Sequence, residues 1–386
     1  MFLAYKKILL QQYYFKIIFL LFFGGIFGCK TKQNSLPEKV LHFPVSWAEI
    51  QEIQKNDKPM EAERWFDELE IVKTPDVDMV LLNDITRIIK IEKFFIALSD
   101  EMMVVCSRTD SGSFVYSKVG RGPGEYNSLI DVIYDRRNDK VLLLTSYPNR
   151  ILTIDMEGNF ISSYMIPGEI DWDRFYMFRN NLFLFGSDFN SKTNISQNVV
   201  AKFEGNTLLE PVIITEKRSK YGSARWYWTI GEKEGNIIAG IDKRDSLFLV
   251  SENLTITPIR LDFAFEKELA QDRIIGQRLH FINDDKMLWV RSLPLGKLLN
   301  FQHRFRYDFS MQKVEFTVGL FWGRYVGMDK DNIYCYLPPV GLQTLEMEWD
   351  KISPSTRRFY EPLRKALSEL DENDNPLLLR YHIRKE

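Results

Sequence analysis

Histidine and cysteine are both scarce in this chain, whose 386 residues include four histidines and three cysteines. So few nitrogen and sulfur ligands exclude a Cys/His metal cluster, and we expect neither a metal nor another cofactor. Cys106 and Cys335 stand inside apolar, strand-like runs. Cysteine in such a run is usually a small buried hydrophobe, so the sequence predicts two buried thiols there rather than a disulfide.

A surplus of positive charge is also missing. The 51 Lys and Arg residues are matched by 53 Asp and Glu residues. Residues 1–28 hold three of the lysines and no acid, which leaves 48 basic against 53 acidic residues and a net charge of −5 for the rest. Nucleic-acid binding needs a basic surface, so the composition argues against a nucleic-acid partner.

Residues 1–28 are predicted to be an export signal. A stretch with three lysines precedes an apolar run at 17–27, which is shorter than the roughly 20 residues of a membrane-spanning helix. The segment Ile26-Phe27-Gly28-Cys29 resembles a bacterial lipoprotein lipobox, although Phe27 replaces the small residue usual there. The resemblance implies a lipid on Cys29, with 29–67 as a tether and lead-in. A short membrane anchor, or a start site placed too far upstream, is the alternative.

The remainder, 68–386, contains a repeated all-β pattern. A strand-like run follows a turn of Asp, Asn, Gly or Lys six times, at intervals of 40–55 residues. These runs begin at Phe94, Val141, Leu182, Ile237, Met287 and Ile333. Six units of about four strands at this period are typical of a β-propeller. The sequence therefore predicts an all-β, six-bladed propeller with four-stranded antiparallel blades.

The sixth unit is incomplete, which predicts how the ring closes. After strands near 325–327 and 333–336 comes a short helical insert at 355–370, and the last strand is 377–383. We expect the early strand at 69–73 to pair beside that last strand and complete the blade. Such a closure leaves no open sheet edge.

A seven-residue corner carries the clearest motif. The segment Gly120-Arg121-Gly122-Pro123-Gly124-Glu125-Tyr126, with Asp131 after it, and the closing segment 374–381 are similar to the signature of the six-bladed β-propeller lipoproteins of Bacteroidetes, an NHL-repeat-like family. The resemblance covers residue 68 to the end. It implies a fold and an address in the cell envelope, but no reaction. The polar tail after Cys29 lacks the acidic run associated with surface export, so we expect an anchor in the outer membrane that faces the periplasm, with exposure at the cell surface as the alternative.

Five connections between successive blades should lie on one face of the ring: 120–126, 167–174, 217–226, 263–278 and 319–324. They are rich in tryptophan and arginine, whose rings and guanidinium groups stack on sugars or peptide side chains and pair with carboxylates. The predicted ligand-binding residues are Arg121, Glu125, Tyr126, Trp172, Arg225, Trp226, Trp322 and Arg324. The alternative is structural: the tryptophans pack between blades, and Arg121 and Glu125 pair with each other or cap their loop.

These features favour a monomeric binding module of the cell envelope, tethered to the membrane by its lipid, for a glycan, a peptide or an envelope protein. One alternative is a metal-assisted hydrolase or lyase of the NHL-like type, with Asp131, His280 and Asp84 as candidate ligands. No Ser/His/Asp spacing and no paired carboxylates are evident, so no catalytic residue is assigned. Another alternative is a scaffold whose helical insert docks a second envelope protein.

Lipidation of Cys29 is directly testable. Cells that express the full chain in the presence of radiolabelled palmitate should label it, because a lipobox cysteine receives a fatty-acid-bearing diacylglyceryl group on its sulfur. The Cys29→Ala chain should carry no label. Equal labelling of both chains would contradict the lipoprotein assignment.

Overall fold

The structure is a computed structural model that describes residues 39–43, 62–64, 66–74, 82, 85–92, 94–99, 102–107, 112–204, 207–218, 228–233, 235–241, 246–263, 277–281, 287–292, 303–308, 313–318, 322–329, 331–350 and 352–384. The segments 277–281, 287–292, 303–308 and 313–318 are described by their backbone. All of these residues belong to one compact unit, 39–386.

Two strands precede the first complete blade, β1 (Lys39–Phe43) and β2 (Phe66–Lys73). Blade 1 contains β3 (Ile85–Ile91), β4 (Phe94–Ser99), β5 (Met102–Ser107) and β6 (Phe114–Tyr116). Blade 2 contains β7 (Ser128–Asp135), β8 (Lys140–Ser146), β9 (Arg150–Ile154) and β10 (Phe160–Met165). Blade 3 contains β11 (Asp171–Phe178), β12 (Asn181–Asn190), β13 (Ile195–Glu204), the short β14 (Thr207–Leu208) and β15 (Val212–Arg218).

The remaining blades follow the same plan. Blade 4 contains β16 (Trp228–Lys233), β17 (Asn236–Ile241), β18 (Ser246–Val250) and β19 (Ile256–Phe263). Blade 5 contains β20 (Gln277–Phe281), β21 (Met287–Ser292), β22 (His303–Asp308) and β23 (Lys313–Val318). Blade 6 contains β24 (Arg324–Met328), β25 (Asn332–Leu337) and β26 (Leu377–Ile383), together with β2. In the described residues the strands thus form six sheets, as predicted.

The described residues contain few helices. A 3-10 turn spans Ala62–Arg64, and two α-helices, α1 (Gly341–Trp349) and α2 (Pro354–Ser368), lie between β25 and β26. Helix α2 corresponds to the helical insert predicted at 355–370, and α1 precedes it. The Ser353 hydroxyl accepts the N–H of Thr356 at 3.1 Å and caps α2, with proline in its first turn. Among the described residues, no helix is long and apolar enough to cross a membrane.

Strand β4 is apolar on both faces because the sheet of blade 1 is covered on both sides. In β4, Phe95 and Ala97 pack toward β25 and β26 of blade 6, whereas Ile96 and Leu98 pack toward blade 2. All four side chains are buried. Covering two faces explains why this strand reads as a continuous apolar run, and each fully buried Ile or Leu contributes about 1.5–3 kcal/mol to the free energy of unfolding.

The first strand of each blade, β3, β7, β11, β16, β20 or β24, forms one edge of its sheet, and these strands contact one another around the ring. The ring closes in blade 6, where β2 runs antiparallel to β26, with Leu69 opposite Tyr381. This confirms the predicted pairing of the N- and C-terminal strands.

A polar network reinforces this closure. Arg380 of β26 donates to Glu70 Oε2 at 2.5 Å and Glu68 Oε2 at 2.7 Å, both on β2, and to Asn332 Oδ1 on β25 at 2.9 Å. The Arg380 side chain is 6% exposed. One guanidinium group therefore ties three strands of blade 6 together.

Strand β1 is a feature that the sequence analysis missed, since 29–67 was interpreted as a tether and lead-in. It pairs in parallel with β19 and becomes the fifth strand of blade 4, from Lys39 opposite Ile259 to Phe43 opposite Phe263. The N-terminal segment is thus attached to the propeller well before the first blade begins.

Both cysteines in the described residues are buried and outside any disulfide, Cys106 in β5 and Cys335 in β25. Burial raises the pKa of the Cys106 thiol to about 12. A thiol with so high a pKa is almost entirely protonated at neutral pH, which makes it a poor nucleophile.

Arg380 should matter far more to stability than an exposed arginine with the same type of partner. Replacing Arg380 with Ala leaves Glu70, a largely buried carboxylate, without its closest cation, and should lower the free energy of unfolding by about 3–5 kcal/mol. Arg364→Ala is the matched control, because Arg364 pairs with Glu346 on the surface and its loss should cost less than about 1 kcal/mol. Urea unfolding measures both, and equal losses would contradict the assigned role.

Candidate functional site

Two connections meet at one end of blade 2. Residues 117–127 join β6 to β7, and 147–149 join β8 to β9. Because β7 and β8 are antiparallel and Ser128 pairs with Ser146, the end of the first connection and the start of the second lie side by side. The Asn127 side-chain amide donates to the carbonyl of Tyr147 and joins them directly.

The glycine-rich loop is closed by its own backbone and by two buried tyrosines. The N–H of Gly120 donates to the Tyr126 carbonyl, and the N–H of Tyr126 donates to Lys118, each at 2.9 Å. The Tyr116 hydroxyl donates to Gly124 O at 2.6 Å, and the Tyr126 hydroxyl donates to Tyr116 O at 3.2 Å. The loop is therefore held in one shape from inside.

Glu125 explains why glycine is needed at this corner. Its carboxylate accepts the N–H of Gly122 at 2.6 Å, and a Cβ at Gly120 would lie 2.1 Å from the same oxygen. Gly124 has φ +76°, in the left-handed region that favours glycine, and packs against Phe160. Of the two structural alternatives for Glu125, loop capping is what the structure shows, and no ion pair joins it to Arg121 among the described residues.

Between the loop and the 147–149 turn lies an open cleft of about 410 Å³. Its lining consists of Gly120, Arg121, Asn127, Tyr147, Pro148 and Arg150. This set contains two cationic side chains and no acid. Tyr147 has φ +56° and is 70% exposed, so its ring stands in solvent at the edge of the cleft.

The two arginines differ in how they are held. Arg150 donates through Nη2 to the carbonyl of Glu125, while its buried Nε has no acceptor within the described residues. Arg121 is exposed, and within the part of the chain that the structure describes it has no hydrogen bond or ion pair. Neither positive charge is neutralised by a carboxylate there, so the cleft is suited to an anionic group.

Asp131 lies nearby but is already fully engaged. It is 0% exposed; Oδ2 accepts the N–H of Phe175 at 2.7 Å, and Oδ1 accepts Arg174 Nη1 at 3.2 Å, with Arg87 Nε at 3.5 Å. The carboxylate thus links β3, β7 and β11, the first strands of three blades. Its oxygens hold the ring together, and nothing in this geometry supports its suggested role as a metal ligand. In the described residues no group of three or more His, Cys, Asp or Glu side chains could hold a metal ion.

Two predicted ligand-binding side chains are buried rather than presented to solvent. Tyr126 is 0% exposed and Trp172 is 3% exposed. Trp172 was placed in a connection, but β11 already begins at Asp171, so the indole packs between blades 2 and 3. Both rings are too deeply buried to present a surface to a ligand, in line with the structural alternative for these residues.

The other predicted residues are spread around the ring. Trp322 is partly buried against the helical insert, and its ring lies at a right angle to that of Tyr360. Arg324 is exposed and donates to the Tyr336 hydroxyl at 3.2 Å. Cys29, Asp84, Arg225 and Trp226 lie outside the described residues, and His280 lies in β20, which is described by its backbone.

Sequence reasoning missed Tyr147, Pro148 and Arg150. Only connections between blades were considered, although the turn between the second and third strands of a blade reaches the same end of the sheet. The available signal was the segment Tyr147-Pro148-Asn149-Arg150, an aromatic and an arginine around a proline turn.

A family model described as a six-bladed β-propeller, DUF5128, matches residues 48–273. The chain belongs to this family. The match covers blades 1 to 4 and includes both connections that form the cleft. No curated protein matches the chain by sequence.

One solved structure shows the same fold at low sequence identity, and a second resembles it more weakly. A Bacteroides fragilis protein described as exported, BF0058, is 16% identical, with a TM-score of 0.57 over 90% of this DUF5128 chain and 99% of its own. A DUF4221 family member from Bacteroides vulgatus is 11% identical, with a TM-score of 0.49 over 82% and 98%. At such identities the likeness is one of fold.

Asp131 should behave as a structural residue. Replacing it with Ala leaves Arg87 and Arg174 without their shared counter-ion and should lower the free energy of unfolding by about 3–5 kcal/mol. Asp350→Ala is the control, since that side chain is 95% exposed and should cost less than about 0.5 kcal/mol. Calcium and zinc should leave the wild-type Tm unchanged. A metal-induced rise in Tm that disappears in Asp131→Ala would contradict this assignment.

Proposed function

We propose that this propeller is an exported, lipid-anchored binding module of the cell envelope, and that its ligand site is the cleft between the glycine-rich loop and the 147–149 turn. The observation that carries the proposal is the arrangement of this cleft: two arginines without carboxylate partners among the described residues, an exposed tyrosine ring and an open mouth, beside a glycine-rich loop that its own hydrogen bonds hold fixed.

A prepared loop favours binding because little conformational entropy is lost when a ligand arrives. The hydrogen bonds of Tyr116, Tyr126 and Glu125 hold the backbone beside Arg121 before any ligand is present. The guanidinium group can then pair with a carboxylate or other anion without reorganising the protein. The ligand is a glycan, a peptide or an envelope protein that carries such a group.

The proposed location rests on the N-terminal segment and on a relative. The basic stretch, the apolar run and the lipobox-like Ile26-Phe27-Gly28-Cys29 support export and lipidation. BF0058, which shares the fold, is described as exported. We place the protein at the outer membrane, on its periplasmic side.

Binding at the cleft should depend on Arg121. Calorimetric titration of the purified mature protein with panels of short peptides and oligosaccharides, each including acidic members, should yield a saturable signal that Arg121→Ala weakens about ten-fold or more, the size expected for a charge-assisted hydrogen bond.

Arg136→Ala is the matched control, because Arg136 is an exposed arginine in the turn between β7 and β8, at the opposite end of blade 2, and its loss should leave the affinity unchanged. A second variant, Trp226→Ala, tests whether the binding surface extends to the connection before blade 4. Ligands that bind Arg121→Ala as tightly as the wild type would contradict the proposed site.

A further inference from the structure

Exposed apolar side chains border the cleft. In the described residues, six large hydrophobic side chains are exposed, and three of them are Val119, Tyr147 and Met165, at 58%, 70% and 56%. Scattered single exposures are ordinary for a soluble protein, whereas a cluster marks an interaction site.

The three side chains are neighbours of the cleft arginines by chain and by register. Val119 directly precedes Gly120, which lines the cleft, and Tyr147 lines it as well. Met165 is the antiparallel partner of Arg150 across β9 and β10. Directly opposite residues carry their side chains on the same face, about 5 Å apart, so Met165 stands beside Arg150. We call Val119, Arg121, Tyr147, Pro148, Arg150 and Met165 the rim patch.

Resting on the proposed function, we propose that the rim patch binds a protein segment in which a carboxylate side chain stands next to large apolar side chains. The carboxylate pairs with Arg121 and Arg150, and the apolar side chains cover Val119, Tyr147 and Met165.

The composition of the patch favours a protein segment over a glycan. Sugars are held by flat aromatic rings together with many hydrogen-bonding groups for their hydroxyls. Here Asn127 is the only side-chain amide in the lining, and its N–H already donates to Tyr147. Aliphatic and thioether groups gain free energy by covering apolar surface, and Met, Tyr and Arg are enriched at protein interfaces. Methionine also adapts its shape to a partner.

Unbiased selection tests the inference. A random hexapeptide phage library is panned on the immobilised mature protein, and enriched peptides are synthesised and titrated by calorimetry. We expect enrichment of Asp or Glu beside Leu, Ile, Phe or Met. Affinity should fall about ten-fold when Arg121 is replaced with Ala, since that change removes one charge-assisted pair. It should fall at least as much when the peptide carboxylate is replaced with its amide, since that change removes the pairs with both arginines.

Two variants on strand β10 test the contribution of apolar contacts to peptide affinity. Met165→Ser should weaken the peptide several-fold, whereas Ile161→Ser, a similarly exposed change at the other end of β10, should leave affinity unchanged. Both positions are exposed, and the Tm of each variant verifies that it is folded.

The remaining outcomes separate the two proposals. The inference of a protein segment would be overturned if no acidic peptides were enriched. It would also be overturned if the enriched peptides bound the Arg121→Ala and Met165→Ser variants as tightly as the wild type. If acidic oligosaccharides bind with Arg121 dependence while no peptide does, the inference fails and the cleft remains a ligand site. If no ligand of either class depends on Arg121, the proposed function fails too.

Discussion

The antiparallel pairing of β2 with β26 is the contact on which the rest of this structure depends. Each blade is apolar on both faces, so each needs a neighbour on both sides, and only a closed ring provides one for every blade. Blade 6 achieves this with strands from the two ends of the chain, tied by Arg380 to Glu68 and Glu70. Asp131 also links separate parts of the ring, because its carboxylate joins the first strands of blades 1, 2 and 3.

Much of this architecture was readable from the sequence. The six turn-and-strand repeats predicted six blades, and the missing strand of the last one predicted the closure, with β26 at 377–383 as expected. Two things were not readable. Strand β1 is five residues long, and its partner β19 lies more than 200 positions away in the sequence. No local sequence pattern therefore predicts this pairing. The start of β11 at Asp171 moved Trp172 from a connection into the core, because strand boundaries are less strongly encoded than strands.

The candidate site was predicted in part. The glycine-rich corner was correctly identified as a fixed connection, and Arg121 does face a cleft, but the residues that complete that cleft lie on a turn within blade 2. Their proximity follows from the register of β7 and β8, which places Asn127 against Tyr147, and register is a property of the folded sheet. The role of Glu125 likewise depends on the conformation of the loop. In that conformation its carboxylate accepts the N–H of Gly122 instead of pointing outward to a ligand.

Because blade 6 combines strands from early and late parts of the chain, the ring can close only after its late strands have been synthesised. The strand that completes blade 6 next to β2 is the last of the described strands in chain order, and three of that blade's four strands lie after residue 323. Until those residues arrive, β2 has no partner and the first face of blade 1 is uncovered. The ring therefore cannot close blade by blade as the strands are synthesised, and loss of β26 would leave β2 without its pairing strand.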